Sequence, residues 1–276
     1  MPRRARLDAE LARRGLARSR EHAADLVTAG RVRVGGLVAT KPATGVDPAT
    51  PILVEPAAGP ADYASRGGHK LAGALAAFTG LTVRDRRCLD AGASTGGFTD
   101  VLLRSGARAV VAADVGYGQL AWALRTDSRV TVVERTNVRY LTPETIGGPV
   151  GLTVADLSFI SLRLVLPALV ACTEPDGDLL PMVKPQFEVG RGRVGAGGVV
   201  RDPALRAGAV LSVADAAWRL GYGVAGVVAS PLPGPSGNVE YFVWLRTDAD
   251  PANPDRIAAI AAAGPTGPRP EEPDEP

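Results

Sequence analysis

The stretch from Arg87 to Asp100, R-C-L-D-A-G-A-S-T-G-G-F-T-D, limits the architecture of this chain more than any other. Cys88 and Leu89 make a short apolar strand that runs into Asp90. Gly92, Gly96 and Gly97 make a turn, and Phe98 to Arg104 is a helical run. A strand, a glycine loop and a helix in that order are the unit of an open α/β sheet, where nucleotide-like cofactors bind. Glycine lets the backbone come close to a ligand, and the free N–H groups of the following helix favour an electron-rich one. A dinucleotide site needs G-x-G-x-x-G. Here Gly92 is followed by Ser94 and then Gly96-Gly97, so the dehydrogenase pattern fails at its second glycine.

The spacing acidic-x-G-x-x-x-G resembles the first motif of S-adenosylmethionine-dependent methyltransferases, whose opening turn surrounds the methionine half of the cofactor. On that resemblance Asp90, Gly92, Ala93, Ser94, Thr95, Gly96 and Gly97 are cofactor-binding candidates. A buried-type strand from Arg108 to Ala113 ends at Asp114, 24 positions after Asp90. The ribose-binding acid of such folds lies about 20 residues beyond the first strand. Asp114 and Val115 are therefore placed at the ribose, and Asn137 at the adenine. A solvated aspartate at a strand end is the alternative for Asp114.

At 276 residues with 46% apolar content the chain can bury one large core or two smaller ones. It has no run of 18 apolar residues, and M-P-R-R-A-R-L-D lacks the apolar segment of a secretory signal. The expectation is a cytoplasmic protein with no membrane partner. Cys88 and Cys172 form no C-x-x-C pair, and His22 and His69 are the only histidines, so no metal site is expected. Residues 1–41 carry ten Arg/Lys against four acids, an excess of six on a chain whose net charge is +2. A basic end on a mildly acidic remainder points to a polyanion.

That basic end has its own pattern. Residues 5–14 have apolar positions at helical spacing, Ser19 suits the N-cap of a second helix ending near Gly30, and R-V-R-V-G-G-L-V predicts a hairpin around Gly35-Gly36. Leu7 through Val38, above all S-R-E-H-A-A-D-L-V-T-A-G-R-V-R-V-G-G, resembles the RNA-binding module of the ribosomal-protein-S-four type. The resemblance implies phosphate contacts from Arg4, Arg6, Arg18, Arg20 and Lys41. A last strand, Ile52 to Glu55, precedes a Pro-rich linker. The expected division is an RNA-binding domain over 1–60, a linker at 61–64, a methyltransferase domain over 65–249, and a disordered Pro/Glu-rich tail over 250–276, with a short helix allowed just beyond Pro251.

Beyond the linker, S-R-G-G-H-K opens a helix near His69, with Lys70 in its first turn. A positive charge there opposes the helix dipole, which argues for a function. A helix from Gln119 to Arg125 and strands at Val130–Val133, Leu152–Ala155 and Asp178–Val183 follow. Helices Leu162–Cys172 and Pro203–Leu220 and two final strands, Gly223–Ser230 and Glu240–Leu245, complete a doubly wound α/β sheet preceded by a small α+β domain. Asp156 and Lys184 fall at C-terminal strand ends, Glu240 opens the last strand, and Gly190–Gly198 is a candidate closing loop. Lys70, Asp156, Lys184 and Glu240 can thus converge beside the glycine loop. Two lysines with two carboxylates suit making an alcohol oxygen nucleophilic. Lys184 is the expected base, with Lys70 as a second positive charge that eases loss of its proton. Four separate structural ion-pair residues remain the alternative.

The order S-R-G-G-H-K, L-D-A-G-A-S-T-G-G-F-T-D, A-D-L-S-F-I-S-L, V-K-P-Q-F-E and G-N-V-E-Y-F, spread over residues 3–246, resembles the TlyA-type (haemolysin A) ribosomal-RNA methyltransferases, relatives of the FtsJ-type 2′-O-ribose enzymes. The resemblance implies a Lys-Asp-Lys-Glu tetrad at those four positions and S-adenosyl-L-methionine as donor. It also implies cytidine 2′-hydroxyls of large-subunit and, in longer forms, small-subunit ribosomal RNA as targets, and an influence on sensitivity to capreomycin-type peptides. The expected partner is ribosomal RNA within ribosomal subunits, and the expected state of the chain is a monomer. Arg66 joins the RNA-binding set, as does Phe159, placed to stack on an extruded base, with a core aromatic as its alternative. Where some members carry R-x-W-x before S-R-G, this chain has A-D-Y-A, so Tyr63 stands in place of a tryptophan. Three rival readings are open: a base aminomethyltransferase, since D-L-S-F is near D-P-P-Y; a pore-forming haemolysin; and an RNA-binding assembly factor with little catalysis.

Overall fold

The computed structural model describes residues 4–17, 20–55 and 63–264, which divide into two compact units, Met1–Ser65 and Arg66–Pro276. Arg18, Ser19 and linker residues Ala61 and Asp62 lie outside the described residues.

In the first unit, β1 (Ala5–Arg6) leads into α1 (Leu7–Arg13), followed by α2 (Arg20–Thr28), β2 (Val32–Val34), β3 (Leu37–Val38), β4 (Gly45–Val46) and β5 (Ile52–Val54). Leu7 and Leu11, one turn apart on α1, bury against Ala23, Leu26 and Val27 of α2 and Val32 of β2. Val34 pairs with Leu37, so Gly35 and Gly36, at φ +57° and +87°, are the two central residues of a tight hairpin that requires positive φ at both. β2 sits between β3 and β5, and β1 pairs with β4. The first helix is shorter than its spacing suggests, because Ala5 and Arg6 are extended to pair with Val46 and Gly45.

The second unit is a seven-stranded sheet in the order β11-β12-β10-β9-β6-β7-β8. Its elements are α3 (Gly67–Ala77), β6 (Arg87–Ala91), α4 (Gly97–Arg104), β7 (Ala109–Ala113), α5 (Trp122–Arg125), β8 (Val130–Val133), β9 (Val150–Ala155), α6 (Leu162–Cys172), β10 (Thr173–Val183), α7 (Pro185–Glu188), α8 (Pro203–Trp218), β11 (Gly223–Ala229), β12 (Tyr241–Arg246) and α9 (Pro254–Ala263). β6 to β10 run parallel, and β12 runs antiparallel to both its neighbours. Every residue of β9 is buried, as expected of a central parallel strand covered on both faces. Leu89, Val111, Leu179 and Val243 of the sheet share one core with Leu166 of α6, Val213 of α8 and Ile257 of α9.

Three expectations need correcting here. The tail boundary drawn at 250 moves, because the short helix allowed just beyond Pro251 forms as α9, whose Ile257 and Ala261 are buried in the main core; residues 265–276 lie outside the described residues. The helix expected from Gln119 begins only at Trp122, because Ala121 is extended and donates its N–H to Thr95 O at 3.2 Å. β10 starts at Thr173, five residues before its expected beginning, and takes up the extra length in a register shift between Thr173 and Asp178.

Candidate active site

The sheet brings its chemistry to one edge. Ala155 pairs with Pro181 of β10 and Ala91 of β6, Ala91 pairs with Ala113 of β7, and Val183 pairs with Tyr241 of β12. Asp156, Gly92, Asp114, Lys184 and Glu240 each stand next to this row. They share the edge because β12, being antiparallel, presents its first residues where the parallel strands present their last. This is the working edge of an open α/β sheet.

Lys70 reaches that edge from α3. Its Nζ donates to Glu240 Oε2 at 2.5 Å, and both side chains are almost wholly buried. α3 comes this close because Gly73 has no side chain; a Cβ there would sit 2.6 Å from Pro231 Cγ. Glu240 is held from the other side by Gly234, where a Cβ would sit 2.7 Å from its Oε1. The P-L-P-G-P-S-G-N turn is thus a socket for one carboxylate. Lys184 Nζ lies 2.6 Å from Asp156 Oδ1, an ion pair without hydrogen-bond alignment, and donates to Ser158 Oγ at 2.9 Å. A buried ion pair is a poor stability device, since desolvation offsets most of its attraction, so the buried Lys70–Glu240 pair with the partly buried Lys184–Asp156 pair beside it at a strand edge argues for a chemical use.

Beside them opens a cavity of about 560 Å³, within the range of small-molecule sites. Gly92, Ser94, Asp114, Val115, Asn137 and Asp156 contribute to its wall, and Leu157, Ile160 and Val165 supply apolar surface. Asp114 shapes the mouth: Oδ2 accepts from Ser94 N at 2.9 Å and Oδ1 from Gly116 N at 2.7 Å, leaving each oxygen a second lone pair. Gly92, at φ +89°, has the Asp156 carbonyl where a Cβ would be, so the β6 and β9 loops touch only because residue 92 is glycine. Asn137 Oδ1 caps a short turn by accepting from Arg139 N at 3.0 Å.

The other residues of the glycine loop stand next to that wall. Ala93, Thr95, Gly96 and Gly97 are not part of the cavity wall. Gly96, at φ +96°, makes room for Leu120 and Leu124. Asp90 lies fully buried behind the loop, with Oδ2 accepting from Thr99 Oγ1 at 2.6 Å and Oδ1 without a partner. Burial pushes its carboxyl up to about 7, the Thr99 hydrogen bond only partly opposing it.

Phe159 is not a core aromatic. It is 92% exposed at the cavity mouth, at φ +65°, with its ring 5.3 Å from that of Phe187. Arg66 is also exposed, but its guanidinium donates to Pro233 O at 2.8 Å and so braces the turn that holds Glu240. In the first unit Arg4 and Lys41 are exposed, while Arg6 and Arg20 converge on buried Asp8 at 2.8 Å and 3.4 Å. The Arg6 guanidinium holds the Asp8 carboxyl down at about 2. Sequence reasoning missed Ser158, although it lies inside the D-L-S-F string, and Asn238, which ties Val200 N and Gly198 O to the socket. No group of three potential metal-ligating side chains occurs among the described residues, and burial raises the Cys88 and Cys172 thiols to about 12 and 11.

Comparison with known proteins matches residues 63–247 to the FtsJ-like methyltransferase model and residues 5–52 to the S4 domain model. A Mycobacterium tuberculosis protein named 16S/23S rRNA (cytidine-2'-O)-methyltransferase TlyA is 66% identical over 91% of this chain and 93% of its own length. The chain belongs to the TlyA group of FtsJ-like methyltransferases. Hemolysin A of Brachyspira hyodysenteriae is 37% identical over 86% of this chain and 97% of its own length. A solved Streptococcus thermophilus structure carrying a provisional hemolysin name superposes with a TM-score of 0.75 at 39% identity, covering 95% of this chain and 96% of that one.

Proposed function

We propose that this chain moves a methyl group from S-adenosyl-L-methionine to the 2′-hydroxyl of cytidine in ribosomal RNA, on large and small subunits. The observation that carries the reading is the pair of lysine–carboxylate contacts, Lys70 with Glu240 buried and Lys184 with Asp156 partly buried, beside the cavity. The cavity residues suit the cofactor: Asp114 offers lone pairs for ribose hydroxyls, and the apolar wall suits adenine. When bound, S-adenosylmethionine supplies a methyl on a positively charged sulfur.

The residues of the chain do the rest. Asp156 and Ser158 take two of the directions around Lys184 Nζ, leaving one for the ribose oxygen. Once the proton on that third direction has been released to solvent, the neutral Lys184 amine takes the hydroxyl proton on its lone pair as the ribose oxygen bonds to the methyl carbon, in line with the sulfur, which would keep the electron pair of the broken bond. Lys70, fixed by Glu240, places positive charge near the oxygen as negative charge develops there. Phe159 offers a face for the extruded base, and Arg4, Arg6, Arg20 and Lys41, with Arg18, attract the phosphates. The reading has the chain acting as a monomer in the cytoplasm. No helix among the described residues is long and apolar enough to cross a membrane.

The test is nucleoside analysis of ribosomal RNA from cells with the chain, without it, or with Lys184→Ala. The expected result is 2′-O-methylcytidine with the parent only, the variant losing about 10²- to 10⁴-fold in rate. Cells with the parent should also become more sensitive to capreomycin-type peptides. A methyl on the base would sink the reading in favour of an amine methyltransferase, and an active Lys184→Ala would remove Lys184 from the chemistry.

A further inference from the structure

Two segments at the cavity mouth run alongside each other and touch three times. Lys184 donates to Ser158 at 2.9 Å, Phe187 lies against Phe159 at 5.3 Å, and Glu188 holds the far end. Glu188 Oε2 accepts from Ser161 Oγ at 2.6 Å and Oε1 from Leu162 N at 2.7 Å, with Arg163 Nε 3.4 Å away. Its side chain is almost wholly buried. The Leu162 N–H is one of the first N–H groups of α6, which have no partner inside the helix, and Glu188 places a negative charge at the helix's positive end.

Between these contacts lies Phe159, an aromatic residue in the left-handed region and almost fully exposed. A bulky side chain there is strained and left in water, so the surrounding structure must hold it in place. Contacts on both sides of residue 159, to Lys184 and to Glu188, are what hold it.

Resting on the methyl-transfer reading above, we infer that Glu188 is a positioning residue. It anchors the 157–162 loop so that Phe159 is presented to the target nucleoside and Ser158 stays on Lys184. It touches neither substrate nor cofactor. Glutamine at this position keeps an acceptor for Leu162 N and an amide that can donate to Ser161, whereas alanine releases the loop.

The test measures methylation of ribosomal subunits by the full chain in parent, Glu188→Ala, Glu188→Gln, Phe159→Ala and the Glu188→Ala/Phe159→Ala double variant, with cofactor affinity by calorimetry. Glu188→Ala should lower kcat/KM for RNA on the order of ten- to a hundredfold, the scale expected of misplacement, with cofactor affinity unchanged. Glu188→Gln should recover most of that loss, and Glu188→Ala should cost much less when Phe159 is already alanine. Equal costs in both backgrounds, or a parallel loss of cofactor affinity, would overturn the inference and leave Glu188 as a structural acid. Should Glu188→Ala not fold, Phe187→Ala takes its place in the same cycle: a smaller cost in the Phe159→Ala background supports the inference, and an equal cost overturns it. A parent that makes no ribose methylation fails the methyl-transfer reading itself; an active parent with additive variants fails only the role of Glu188.

Discussion

A lysine and a glutamate separated by 170 positions in sequence meet at 2.5 Å with almost no solvent around them. Removing one partner of such a pair leaves a buried charge and costs about 3–5 kcal/mol, while replacing both with apolar groups is often neutral or stabilising. Lys70→Met/Glu240→Leu should therefore denature no earlier than the parent and yet make no product, whereas Lys70→Met alone should be clearly less stable. An active double variant would show the pair to be structural. Asp90 gives a second prediction. Its folded-state pKa of about 7 lies above the unfolded value of about 3.9, so the folded protein holds the proton longer than the unfolded chain does. Stability from this group is present below about pH 4 and is lost as pH rises towards 7. Asp90→Asn should remove that loss, so its advantage over the cofactor-free parent should grow between pH 5 and pH 8 by up to about 3 kcal/mol, at about 1.4 kcal/mol per unit. Thermal unfolding at the two pH values checks this; parallel curves would contradict it.

Elements carry these residues to one edge, and much of that is legible in the sequence alone. Acids at the ends of apolar runs, Asp114 after A-V-V-A-A and Asp156 after L-T-V-A, mark parallel strands whose C-terminal ends work together. Which carboxylate meets which lysine is not legible there, because it depends on the antiparallel return of β12 and on Gly73 letting α3 approach Pro231. The early start of β10 is hidden in T-E-P-D-G-D, which has the composition of a turn but pairs with Val150 at Thr173. Nor are the separate packing tasks of the loop glycines legible in the sequence. Gly92 and Gly96 both require their positive φ, yet one admits the Asp156 backbone and the other admits two leucines. That difference predicts separate defects. Gly92→Ala should drive the β6 and β9 loops apart, lowering methyl transfer and cofactor affinity together. Gly96→Ala should act mainly on stability, by roughly 1–3 kcal/mol as for other overpacked sites. Calorimetric cofactor binding alongside thermal unfolding separates the two, and matching defects in both variants would refute the distinction.

For the whole molecule, the charge excess of the first 41 residues gains a structural form: Arg6 and Arg20 share one buried acid, Asp8, and Arg13 and Arg14 share another, Glu10. Each acid fixes two guanidinium groups, so part of this basic surface is organised before any phosphate arrives. Arg14 is only 20% exposed, but 53% of the Arg6 side chain and 61% of the Arg20 side chain are open to solvent, so these two can still neutralise phosphates. Each arginine that does so releases counterions on binding, and its removal should lower the salt slope of the binding constant by about one. Arg6→Gln/Arg20→Gln should therefore weaken binding to ribosomal subunits most at low salt and reduce the slope by about two. Cofactor affinity should not move, because the cavity belongs to the unit that starts at Arg66. Filter binding over a salt series, with cofactor titration of the same protein, decides the matter. An unchanged slope would mean that these guanidinium groups serve only Asp8, and the attraction would then fall to Arg4, Lys41 and their neighbours.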